Sequence, residues 1–177
     1  MDRKNFIHQA AFNTGAIVFA PWIVTEKYSG NLRVRSNGRG VPDPLPAEQV
    51  KEFVVAGHGN FDKVKQLLGE SPPLLYATWD WGGGDFETAL EGAGHVGNKE
   101  IANYLISLGA RTNLFVLTML GKTAIVKSYL ETYPGYLRAK GPHGFTLLHH
   151  AQKGGDDATE LLVYLQSKGL KETKVKL

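Results

Sequence analysis

Histidine is the residue type in this chain with the widest chemical reach, and five of the six copies fall at telling places. His58 and His95 stand one and two residues before the glycines Gly59 and Gly97, while His143, His149 and His150 crowd one later stretch. Equivalent placement in neighbouring units could bring such imidazoles together. A divalent metal would need three or four donors converging within about 2.0–2.2 Å of one ion. The spacing His-x-x-x-His, which presents two donors from one helix face, does not occur. The sequence therefore predicts no metal ligand and no cofactor. Its alternative reading is a small-ligand or metal-binding accessory protein that uses His58, His95, Glu91 and Asp85 in a His/Trp/carboxylate cluster on a concave face.

Covalent chemistry finds less support. Cysteine is absent, which removes disulfides, thiolate nucleophiles and zinc–thiolate sites and leaves the redox compartment open. No Gly-x-Ser-x-Gly occurs, and Ser71, Ser107, Ser128 and Ser167 have no adjacent base. The run Gly82-Gly83-Gly84 is followed by no lysine in Walker spacing. The expectation is a protein that is not an enzyme.

The elements that must position these residues recur along the chain. Gly97 to Asn113 is the best-formed copy of a unit that returns at Gly59 to Leu68, at Gly121 to Glu131 and, more loosely, at Gly155 to Gly169. Each glycine precedes an amphipathic run with paired apolar residues near its end. The spacings are 38 (59 to 97), 24 (97 to 121) and 34 (121 to 155) residues. Upstream of two of these glycines lie Gly84 to Leu90 and Gly144-Phe145-Thr146-Leu147-Leu148-His149-His150-Ala151. Both are similar to the Gly-x-Thr-Pro-Leu-His-x-Ala opening of the ankyrin-repeat family, whose period is roughly 33 residues. The chain thus resembles an ankyrin-repeat protein over residues 47–170. Ala89 and Leu147 replace the family's Pro, and Glu91 replaces its His, which His149 retains.

That resemblance implies an all-α, helical solenoid of about four repeats with irregular loops. The threonine would cap the first helix of a repeat, the leucine would begin its apolar stripe, and His149 would bond to backbone in the adjoining turn. Apolar spacing places helices around Val50 to Val55, Val64 to Leu68, Ile101 to Leu108, Leu114 to Leu120, Ala124 to Tyr133, Leu147 to Ala151 and Ala158 to Leu165. No substantial sheet is expected. Only Thr112 and Asn113 separate Gly109-Ala110 from the helix at Leu114, so one projecting loop is deleted, whereas residues 70–85 form an enlarged loop rich in glycine and aromatics.

That loop is the expected recognition site. Trp79, Trp81 and Phe86 offer large contact areas at low entropy cost, as binding hot spots do. With Asp85, Glu87, Glu91, His95, Met119 and His143 they make the predicted partner-binding set, presented to another protein of unread identity. The bland reading folds a tryptophan down over the helix ends.

Composition and termini complete the reading. The formal charge of +3 comes from scattered bases, densest at Arg33, Arg35 and Arg39 and at Lys168, Lys171, Lys174 and Lys176. No aromatics interleave with them as base stacking would need, so nucleic acid is not an expected partner. Residues 1–28 have the layout of an export signal or anchor helix, and Arg3-Lys4-x-Phe6-Ile7 resembles a bacterial twin-arginine signal with Lys4 in place of the second arginine. This predicts a periplasmic or extracytoplasmic monomer, with membrane association through residues 1–28 alone, or a cytoplasmic one if that segment is a structural helix. Residues 29–46, with Gly30, Gly38, Gly40, Pro42, Pro44 and Pro46, read as a linker, residues 47–170 as the repeat domain, and residues 171–177 as a frayed basic tail.

Overall fold

A computed structural model describes residues 42–177. The export segment 1–28 and the linker up to residue 41 lie outside the described residues. From Asp43 to Leu177 the chain forms one compact unit. It is mostly α-helical, and among the described residues no helix is long and apolar enough to cross a membrane.

Helix α1 (Ala47–Gly57) starts after Pro46, with Glu48 in the first turn near the positive helix end. It buries Val50, Phe53 and Val54 at the i, i+3, i+4 spacing of one face. Its partner α2 (Phe61–Glu70) buries Val64, Leu67 and Leu68. Then follow α3 (Ala89–Val96) with α4 (Lys99–Ser107), α5 (Leu114–Met119) with α6 (Thr123–Thr132), and α7 (Leu147–Gly154) with α8 (Thr159–Ser167). The first helices of these pairs pack side by side, α1 on α3, α3 on α5 and α5 on α7.

The repeated glycines mark the units for a reason that sits one residue further on. Asn60 and Asn98 cap α2 and α4 by accepting from the N–H of Lys63 and Ile101. At the third copy Lys122 occupies that position and makes no side-chain cap, which is why the copy looks weaker. Thr88 and Thr146 cap α3 and α7, as the repeat opening implies, and Thr88 with Glu91 completes a capping box.

Two features depart from the sequence reading. The enlarged loop contains a short antiparallel hairpin, β1 (Thr78–Asp80) and β2 (Phe86–Thr88), with Trp79 opposite Glu87. The C-terminal tail is not frayed. Thr146 N–H donates to Thr173 O at 3.0 Å, Val175 N–H donates to Gly144 O at 2.9 Å, and Phe145 bridges Lys174. The domain therefore continues through residue 175, because residues 173–175 satisfy the backbone ahead of α7.

Candidate metal centre

The hairpin decides which side chains meet. Strand residues alternate faces, so Phe86 points outward and is exposed while Glu87 points inward and has no solvent exposure. The loop between the strands is closed by Trp81 N–H donating to Asp85 O at 2.8 Å and Gly82 N–H donating to Asp80 Oδ1 at 2.7 Å. Because the Thr88 cap fixes where α3 begins, Glu87 sits immediately before the helix and aims beneath it.

Three imidazoles from separate segments surround that carboxylate. His58 follows the last turn of α1, His95 lies in the last turn of α3, and His143 occupies a turn ahead of α7. Glu87 Oε1 lies 3.0 Å from His95 Nδ1, and Glu87 Oε2 lies 3.5 Å from His58 Nε2 and 3.4 Å from His143 Nε2. One donor atom from each of the four residues lies within 4.8 Å of all the others. The His95 ring is 4.7 Å from His58 and 5.2 Å from His143, centroid to centroid.

The opposite ring nitrogens are already engaged. His58 Nδ1 is 3.0 Å from Val54 O, a carbonyl that can only accept, so this nitrogen carries the proton. His143 Nδ1 is 2.7 Å from Asp85 Oδ2, and its backbone N–H donates to Asp85 Oδ1 at 2.8 Å. With Nδ1 of each engaged by these partners, Nε2 of both histidines faces the Glu87 oxygens. Wherever such an Nε2 carries no proton it meets those oxygens as a second acceptor, so the space between them suits a positive species, either a proton or a metal ion.

Glu87 Oε1 and His95 Nδ1 are buried and, despite their proximity, make no hydrogen bond to each other or to anything else. The two atoms lie 3.0 Å apart, an ion-pair distance, but their angle is too bent for a good hydrogen bond, so the buried carboxylate oxygen is only partly compensated. Burial pushes the Glu87 carboxyl up. The His95 contact, the charges of His58 and His95, and the Trp81 N–H outweigh it and hold the group below the usual carboxylate range. Trp81 Nε1 donates to Glu87 Oε2 at 2.9 Å, which orients the carboxylate.

The glycine at position 92 makes room for this assembly. A Cβ there would lie 2.9 Å from Cε1 and Nδ1 of His58, so no side chain fits while the imidazole is in place. His143 has φ of 59°, a left-handed conformation unusual for a residue with a Cβ, and the double grip of Asp85 and the tail at Gly144 hold it there.

Of the nine residues expected to bind a partner, five gather here: Trp81, Asp85, Glu87, His95 and His143. Trp79 is half-buried against the core, with the Lys51 ammonium 5.5 Å from its ring. Met119 is fully buried in the core and cannot be presented to a partner. Glu91 is spent on structure. It accepts from Thr88 N–H and Thr88 Oγ1, each at 2.8 Å, and from Asn113 Nδ2 at 2.6 Å, tying the α3 cap to the α5 cap. Burial raises its carboxyl above the usual range against these bonds. Of the alternative set His58, His95, Glu91 and Asp85, the structure brings His58 and His95 together, with Glu87 and His143 beside them, while Glu91 is held by the helix cap and Asp85 lies behind His143. His149 and His150 serve the scaffold, through His149 Nε2 to His95 O and His150 Nδ1 to Thr146 O, both 2.8 Å.

No protein-family model matches this chain, and no curated protein matches it either. The chemistry of the site therefore rests on its own geometry.

Proposed function

We propose that this protein binds a divalent first-row transition metal on an ankyrin-type helical scaffold, with His58 Nε2, Glu87, His95 Nδ1 and His143 Nε2 as ligands. The observation that carries the reading is a set of four donors within 4.8 Å of one another, with the buried Glu87 Oε1 and His95 Nδ1 at its floor in contact at 3.0 Å but without hydrogen-bond geometry. A metal satisfies both atoms at once. Imidazole-rich sites with one carboxylate and no thiolate suit zinc, copper, iron or nickel rather than calcium or magnesium. Metal-ligating histidines characteristically donate their second nitrogen to a carbonyl or carboxylate, as His58 does to Val54 and His143 to Asp85. The paired helices, the Thr88 and Thr146 caps and the side-by-side packing support the ankyrin-type scaffold.

Equilibrium dialysis against Zn²⁺ with metal analysis tests the reading. The full chain should retain about one ion at about pH 7.5, where the ligands are deprotonated. Glu87→Gln and His95→Ala should each lose it. Absence of binding in the parent protein, or equal binding in both variants, would overturn the proposal. A second reading, recognition of another protein by the hairpin, is favoured by the exposed Phe86 on the face opposite Glu87. The two use opposite faces and are compatible.

A further inference from the structure

The four ligands are unequally covered. The side chains of Glu87 and His95 are 0% and 8% exposed, whereas those of His58 and His143 are 28% and 26% exposed. Glu87 and His95 thus form a dry floor, and the other two imidazoles form a rim that water reaches. The Glu87 oxygens lie within 3.0–3.5 Å of a nitrogen on every imidazole, so the carboxylate is at the common base of the three rings. An ion seated among these donors would have its face away from Glu87 turned toward the gap between the two exposed histidines.

Resting on the metal reading above, we infer that the bound ion keeps an exchangeable coordination position on this face, one that takes water, hydroxide or a small inorganic anion. A structural ion is normally enclosed by four protein ligands, while a reactive one keeps a position for an outside ligand. The rim is bordered by aromatic rings, with one ammonium beyond them. The Trp81 ring lies 5.7 Å from that of His143, and the Lys174 ammonium lies 4.8 Å from the Phe145 ring, which in turn is 6.2 Å from His143. A divalent ion with one carboxylate and three neutral imidazoles carries a net charge of plus one within its ligand shell, and the Asp85 carboxylate that balances it lies behind His143, outside that shell.

Cobalt(II) replaces zinc and reports its own coordination, so the test is a visible absorption titration of the Co²⁺-loaded full chain with sodium azide. The expected result is a set of ligand-field bands on loading, followed by a saturable shift in their position and intensity as azide binds, with Co²⁺ retained. Bands that stay unchanged through the titration would show that protein ligands fill every position and would overturn the inference while leaving the metal site standing. Loading without any ligand-field bands in the parent protein would overturn the metal reading itself, and the inference with it. As an independent check, Ile125→Ala, an exposed position on α6 outside the site, should give the same azide shift as the parent.

Discussion

Asp85 grips His143 at two points, accepting from its backbone N–H at one carboxylate oxygen and meeting its ring Nδ1 with the other, at 2.8 and 2.7 Å. The two residues are 58 positions apart, yet this contact fixes the backbone, the tautomer and the aim of the imidazole together. Asp85→Asn keeps the shape and removes the charge. It should weaken zinc binding about 10–100-fold, the usual cost of losing such a supporting carboxylate. Competition with a chromophoric chelator measures this, and an unchanged affinity would show that Asp85 serves only the turn.

Binding to the native state alone must raise stability. Zinc at about 100 times its dissociation constant should add about 2.7 kcal/mol, a rise in Tm on the order of 10 °C for a domain of this size. Excess EDTA should reverse the shift. Glu87→Gln should show none of it, and a Tm in that variant that still climbs with zinc would place the ion elsewhere.

Much of this was legible in the sequence, and what was not has identifiable causes. Asn60 and Asn98 after the repeated glycines, and Thr88 and Thr146 in the repeat openings, are local signals that determine helix starts, so helix order could be read directly. His58 and His95 could be paired through their glycines. The sequence puts both Glu87 and Glu91 near His95 and holds no signal that separates them, so the alternative ligand set takes Glu91. The capping box with Thr88 consumes Glu91, and the strand alternation that buries Glu87 depends on a hairpin only three residues wide on each side. Met119 belongs to the predicted partner-binding set as an inner-helix residue, yet it is completely buried in the core it shares with α3 and α4.

Two glycines within helices should respond oppositely to the same change. Gly92→Ala would place a methyl 2.9 Å from the His58 ring and should cost about 1–3 kcal/mol together with most of the zinc affinity. Gly69→Ala meets nothing within 4 Å and should stabilise the protein by roughly 0.5–1 kcal/mol. Chemical denaturation of both variants decides it, and a neutral Gly92→Ala would mean that the imidazole has room to move.

His150 should make the domain acid-sensitive even without metal. Burial holds its pKa down, from 6.5 to about 4, against the opposing hydrogen bond to Thr146 O. Between those values the unfolded chain binds a proton that the native chain refuses, so stability is complete above about pH 6.5 and falls as pH drops toward 4. The loss amounts to about 3 kcal/mol. Comparing urea midpoints of the parent and His150→Gln across this window, in EDTA, should show a shallower slope in the variant. Parallel slopes would assign the acid sensitivity to other groups.

The clasp between Gly144 and Val175 carries a consequence for timing. His143 reaches its left-handed conformation in a turn whose far side is held by residues 173–175. Residues 58, 87 and 95 precede these in the order of synthesis, so the contact that holds His143 is the last of the four to be completed. Whatever needs His143 in place therefore depends on residues 173–175 as well as on the helices.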